Sequence, residues 1–171
     1  MHVFRFKLAR FIGHLPNFPG QYRLTRLLVD PDQLGNYRDA EAVITTDQFG
    51  LRYRCKIDSF IEWGMIFHGG FEKGLVKFLV EVANTSSVDI FLDIGANTGT
   101  VGIPVATEVK QTYFFEPIPA NLGNLQRNLN LNHTRLKDCQ IELHQIALSS
   151  GHGTNKISFD SMNCNQGTAS L

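Results

Sequence analysis

The sequence predicts an α/β protein with a parallel sheet. Three observations carry this. Strand-like apolar runs alternate with helical patterns from residue 88 to residue 148, the links between them are short, and a glycine-rich turn follows the first run. Strand–helix–strand order with short links requires right-handed crossovers, so the strands lie parallel.

The elements follow in chain order. The first forty residues are expected to be irregular, because Pro16, Pro19, Gly20 and Pro31 interrupt them. The segment MHVFRFKLARFIGHLP mixes Phe and Leu with Arg5, Lys7 and Arg10. It lacks the unbroken apolar stretch of a signal peptide and reads as a basic amphipathic segment packed on its own domain, with a helix lying on a membrane surface as the alternative. Ala42 to Asp58 reads as a hairpin, with Val43 and Ile44 on one strand, Leu51, Tyr53 and Cys55 on the other, and Asp47 to Gly50 as the turn. FEKGLVKFLVEV places Phe71, Leu75, Phe78, Leu79 and Val82 at helical spacing.

The alternation then begins. VDIFLDI is a near-continuous apolar strand, TVGIPVATEV a short helix, QTYFFE a second strand. PANLGNLQRNLNLN is a second helix, with Leu122, Leu125 and Leu129 on one stripe, and IELHQIAL is a third strand. GHGTNKISFD predicts a last small loop and strand.

Composition narrows the function. Lys+Arg and Asp+Glu both number 16, for a formal net charge of +0. Such a balance supports neither a nucleic-acid track nor a polybasic membrane patch. Cys55, Cys139 and Cys164 are scattered and form no Cys-x-x-Cys pair, which argues against structural zinc and a disulfide framework and for thiols in a reducing, cytoplasmic setting. No apolar run approaches the ~20 residues of a membrane span.

The stretch FLDIGANTGT, Phe91 to Thr100, carries the chemistry. Asp93 ends the first parallel strand, and Gly95, Ala96, Asn97, Thr98 and Gly99 form the turn after it. Ligands of open α/β sheets bind beyond the carboxyl ends of the strands. A small-residue turn offers main-chain N–H and C=O groups to such a ligand, and Asp93 adds a negative charge. Glu116 ends the second strand, where an acidic group commonly accepts from the two hydroxyls of a ribose. A dinucleotide needs Gly-x-Gly-x-x-Gly for its pyrophosphate. Here Asn97 stands in place of the second glycine, and Asp93 opposes a phosphate. S-adenosylmethionine has no phosphate and carries an ammonium and a sulfonium, so the electrostatics select it. A nicotinamide-dependent oxidoreductase is the alternative.

These residues resemble a known family, the FkbM-type class I S-adenosylmethionine-dependent methyltransferases. The likeness rests on FLDIGANTGTVG, FFEPIPANLGNLQRNLNLN, HQIALSSGHGTNKISF, NQGTASL and the upstream GGFEKG, roughly Gly69 to Leu171. It implies a Rossmann-like fold, with an N-terminal extension over residues 1–68 and a methyltransferase domain over 69–171. By the same resemblance Asp93, Gly95, Ala96 and Asn97 hold the methionine end of the cofactor and Glu116 holds the ribose. Pro117 and Ile118 pack on the adenine edge, Ile146 and Ala147 line its other side, and Glu72 caps the pocket. Asn165, Gly167 and Ser170 match a segment near it. The family sheet has seven strands, of which this chain supplies the first three. It therefore reads as the N-terminal half of that fold, cut at its C-terminus, with an inactive remnant as a further alternative. An unpaired edge on the first strand is expected to favour self-association.

Methyl transfer is a direct displacement, helped by a base when a hydroxyl attacks. The acceptors that the resemblance implies are small molecules or glycans bearing such hydroxyls. His144 alternates with apolar residues and reads as a strand-face histidine. His68 precedes GGFEKG and is the candidate base, against a packing role; no other catalytic residue is assigned.

Overall fold

The computed structural model describes residues 2–33, 41–46, 49–57, 59–151 and 153 of the 171. Asn165, Gly167, Ser170 and the last predicted strand lie outside the described residues, as do Asp47 and Gln48 of the hairpin turn. The described chain forms two compact units: one within residues 1–47 and 54–71, the other within 48–53 and 72–153.

The first unit holds helices α1 (His2–Gly13), α2 (Gln21–Leu28) and α3 (Phe60–His68). Its strand β1 (Glu41–Thr45) pairs with β2 (Arg52–Lys56), as the hairpin reading expects. The irregular reading of the first forty residues is corrected over residues 2–33: Pro16, Pro19 and Gly20 interrupt the chain between two helices. Gly20 takes φ 87 at the entry to α2, a left-handed turn that suits glycine. The buried Gln21 amide then donates to the α1 carbonyls of Ile12 and, just past the helix, Leu15 (2.8 and 2.9 Å), satisfying acceptors a helix end leaves open.

Helix α3 was not expected, because FIEWGMIFH is apolar on nearly every side and shows no period. Its start was legible: Ser59 Oγ accepts from the Glu62 N–H (3.2 Å) while Glu62 Oε2 accepts from that hydroxyl (3.2 Å), a variant of the capping box. Trp63, Ile66 and Phe67 are fully buried, and the Trp63 indole N–H donates to the Val29 carbonyl (2.9 Å). A Cβ on Gly13 would stand 1.7 Å from the Phe67 carbonyl oxygen, so glycine is what lets α1 meet α3.

The second unit is the mixed α/β part. Helix α4 (Lys73–Thr85) leads to β3 (Ile90–Ile94), α5 (Gly102–Val105), β4 (Gln111–Phe115), α6 (Pro119–Leu131) and β5 (Gln140–His144). The strands form one parallel sheet in the order β3-β4-β5, in register from Ile90 beside Gln111 beside Gln140 to Ile94 beside Phe115 beside His144. This is the partial Rossmann-like arrangement the alternation predicts. The third strand is shorter than IELHQIAL suggests and ends at His144. Beyond Phe115, Glu116 N–H still reaches the His144 carbonyl (3.0 Å), and then Pro117 has no N–H to continue the ladder. Ile146 and Ala147 therefore lie in irregular chain after the strand.

The two faces of the sheet differ. Val76, Val80 and Ala83 of α4 join Val105 and Val109 in a core against which Phe91 packs, and Thr112 and Phe114 are fully buried. On the opposite face Ile90, Leu92 and Ile94 are 53, 53 and 62% exposed. Beside them Tyr113 and Phe115 stack on His144 at ring-centroid distances of 6.0 and 4.9 Å. The continuous apolar run of β3 thus buries one face only, among the described residues.

Phe114 and Leu92 are both apolar mid-strand residues, yet they should differ in energetic weight. Phe114→Ala is expected to cost about 3–5 kcal/mol and Leu92→Ala under about 0.5 kcal/mol. Urea unfolding of each variant checks this; equal losses would mean that the Leu92 face is covered.

Candidate functional site

The carboxyl ends of β3 and β4 lie side by side because Ile94 pairs with Phe115. The turn after β3 is anchored to β4 at once: Gly95 N–H and Ala96 N–H both donate to the Phe115 carbonyl (2.9 and 3.1 Å). Asn97 then takes φ 49 and Gly99 φ 83, so two left-handed residues flank Thr98. Gly99 N–H closes the turn on the Ala96 carbonyl (2.8 Å). Asparagine tolerates this backbone better than most residues.

The glycines serve different needs. A Cβ on Gly99 would meet the Leu125 and Ile103 side chains at 2.5 and 2.7 Å. One on Gly102 would stand 2.2 Å from Asp93 Oδ2 and 2.4 Å from the Phe114 ring. Packing disfavours a side chain at both, and the left-handed backbone is a second reason for glycine at Gly99. Gly95, at φ 79, would meet nothing within 4 Å, so it is the glycine whose backbone faces open space.

Two buried carboxyl groups flank the turn. Glu116 is 4% exposed and its oxygens accept from the Asn97 N–H (2.8 Å), the Ile118 N–H (2.9 Å) and the Asn121 side-chain amide (3.3 Å). A carboxylate offers about four acceptor sites, so internal donors take most of them. Asp93 is 9% exposed, and its Oδ2 has no hydrogen-bond partner. Burial pushes its carboxyl up to about 6; the Gly102 N–H acts in the opposite direction, and Glu116 adds to the rise.

Of the other sequence-predicted residues, Ile118 is buried beside Glu116 and Pro117 is half-buried. Ile146 and Ala147 are exposed. Glu72 is exposed, at φ 47 before α4, and caps no helix N–H with its side chain. His68 belongs to the first unit, where its Nε2 lies 3.1 Å from Thr25 Oγ1 and its ring stacks on Tyr22 at 5.7 Å. Sequence reasoning missed Asn121, Asn128 and Asn132, all buried on α6 or at its end. Their seven- and four-residue spacing put them on one helix stripe, the signal that could have found them.

A carboxyl that holds its proton more tightly when folded stabilises the fold at low pH. The Asp93 contribution is complete below the unfolded value of about 3.9 and is lost as pH rises through about 6. The loss is on the order of 2–3 kcal/mol. Asp93→Asn should therefore remove a fall in stability between pH 4 and 7 and be more stable than the parent at neutral pH. Denaturant midpoints across that range check the expectation; an unchanged slope in the variant would assign the titration to another group.

No protein-family model matches the chain. Among solved structures it is similar to a SAM-dependent methyltransferase from Agrobacterium tumefaciens (TM-score 0.47, 14% identity, 61% of this chain and 32% of that one). It is also similar to P. horikoshii TYW2 in complex with MeSAdo (TM-score 0.46, 20% identity, 64% and 37%). A third is M. jannaschii TYW2 in complex with AdoMet (TM-score 0.43, 19% identity, 61% and 43%). The chain thus spans between 32% and 43% of the length of these three structures.

Proposed function

We propose that the second unit is the cofactor-binding part of an S-adenosylmethionine-dependent methyltransferase. The observation that carries this reading is Asp93 Oδ2, buried and without a partner beside a left-handed turn. Leaving such an oxygen unsatisfied costs roughly 1–3 kcal/mol or more. A cationic group at this place supplies the missing partner and favours the ionised carboxyl. The residues therefore fit the ammonium end of S-adenosylmethionine.

When bound, S-adenosylmethionine supplies a methyl group activated for displacement. The chain's own part is to bind and orient. Asp93 faces the positive charge, Gly95 lets the ligand approach the backbone, and the acceptor site left on Glu116 takes a ribose hydroxyl. A pyrophosphate suits the place poorly: two carboxyl groups flank it, and α5 has only the four residues Gly102–Val105 to contribute a helix dipole. Pro117, Ile118, Ile146 and Ala147 remain the proposed adenine contacts and Glu72 the proposed cap. Membership of the FkbM type, and a hydroxyl of a small molecule, sugar or glycan as acceptor, rest on the sequence resemblance. His68 as base rests on the sequence alone, and Thr25 and Tyr22 already engage its ring. A cytoplasmic location is part of this reading and rests on the scattered cysteines of the sequence. A remnant that binds no cofactor is the second reading, favoured by the three internal donors on Glu116.

Titration calorimetry with S-adenosylhomocysteine and with NAD separates these readings. Binding of the first alone is expected, weakened by about 1.5–3 kcal/mol in Asp93→Asn, the scale of a hydrogen bond to a charged group. Asn97→Gly, which moves the turn toward the dinucleotide pattern, should not create NAD binding. NAD binding in the parent would favour an oxidoreductase, and no binding of either ligand would favour the remnant.

Self-association is proposed for the exposed Ile90, Leu92 and Ile94 face and the adjoining outer edge of β3, which pairs with no strand among the described residues. Light scattering after size exclusion should show oligomers, reduced in Leu92→Lys; a monomeric parent would refute the proposal.

A further inference from the structure

Helix α6 buries amides where an amphipathic helix ordinarily buries apolar side chains. Asn121, Asn128 and Asn132 are 5, 1 and 2% exposed, alternating along the helix with buried Leu125 and Leu129. A buried amide costs several kcal/mol unless it is hydrogen-bonded, so each needs a specific partner. The partners are not equivalent. Asn121 donates to the Glu116 carboxylate (3.3 Å). Asn132 lies at the end of the helix and clamps the start of β2: its Oδ1 accepts from the Arg52 N–H (2.9 Å), and its Nδ2 donates to the Arg52 carbonyl (2.8 Å) and to the main-chain carbonyl of Asn128 (2.8 Å). Asn128 donates to the Thr98 carbonyl (2.9 Å), at the centre of the glycine turn.

Thr98 stands between the two left-handed residues Asn97 and Gly99. Asn97 N–H is held by Glu116 and Gly99 N–H by the Ala96 carbonyl. The Asn128 amide supplies the hold on the far side of the turn, from an element thirty residues further along the chain. A non-glycine residue stays in left-handed backbone only where its surroundings over-determine it. Gly95, whose backbone faces open space, begins the same turn.

We propose that Asn128 is a positioning residue of the candidate cofactor site. It touches no ligand. It holds the Thr98 carbonyl, and thereby fixes the backbone of residues 95–99 in the shape a ligand meets. Asn132, one helical turn away and equally buried, serves the packing of β2 and leaves the turn alone. The affinity consequence rests on the methyltransferase reading; the shaping of the turn does not.

The pair Asn128→Leu and Asn132→Leu tests this, because leucine nearly preserves the volume and removes the amide in each case. Hydrogen exchange on the unliganded protein comes first. Protection of the Asn97 and Gly99 amides, relative to the β3–β4 ladder, is expected to fall at least tenfold in Asn128→Leu and to stay unchanged in Asn132→Leu. S-adenosylhomocysteine affinity is expected to fall about tenfold or more in the first variant and less than twofold in the second, measured where both are folded. If leucine prevents folding at position 128, Asn128→Ser against Asn132→Ser gives the same comparison. Equal effects of the two substitutions, on exchange or on affinity, would overturn the proposal. If the parent binds no S-adenosylhomocysteine, the methyltransferase reading falls, and the exchange comparison still decides the role of Asn128.

Discussion

The second unit depends on one buried carboxylate. Glu116 leaves the end of β4 and accepts from the turn after β3 through Asn97, from its own chain at Ile118, and from the first turn of α6 through Asn121. The end of β4, the start of α6 and a turn nineteen residues earlier in the chain are joined at one side chain. Hydrogen bonds to a charged acceptor are worth more than neutral ones, and burial raises the cost of breaking any of them. The same contacts place the glycine turn against the sheet, so the candidate site takes its shape from this group before any ligand arrives.

Asp93 presents the opposite case. It lies at the end of the neighbouring strand, buried to a similar degree, with one oxygen unsatisfied and its proton held up to about 6. Glu116 is stabilised by what surrounds it, whereas Asp93 weakens the fold at neutral pH. Such a liability is common where a residue is kept for binding, since stability and function compete for the same position. The contrast explains why two acidic residues near neighbouring strand ends have different proposed roles. One braces the turn through internal hydrogen bonds; the other is the group proposed to meet a positive charge.

The uncovered face of the sheet is the third feature that needs a physical account. Both crossovers run the same way, from β3 to β4 to β5, and right-handed connections then place α5 and α6 on one side. Helix α4 joins that side through Val76, Val80 and Ala83. Nothing in the connectivity of the described residues sends a helix to the other side. Ile90, Leu92 and Ile94 are consequently exposed although their sequence has the composition of a strand buried on both faces.

The sequence by itself determined the strand–helix alternation from β3 to β5, the parallel sense of the sheet, and the meeting of Asp93, the glycine turn and Glu116 at one end of it. Those follow from local periodicity and chain connectivity, which single residues carry. It also held the start of α3 in Ser59 and Glu62, though the apolar surroundings hid the helix itself. Only the tertiary structure decided that Gly99 and Gly102 answer to Leu125, Ile103, Asp93 and Phe114 while Gly95 faces open space. It likewise decided that His68 is engaged by Thr25 and Tyr22, that Glu116 is largely occupied from within, and that Asn128 reaches Thr98. A side chain's partner across thirty or forty residues depends on how elements pack, and no local pattern encodes that distance.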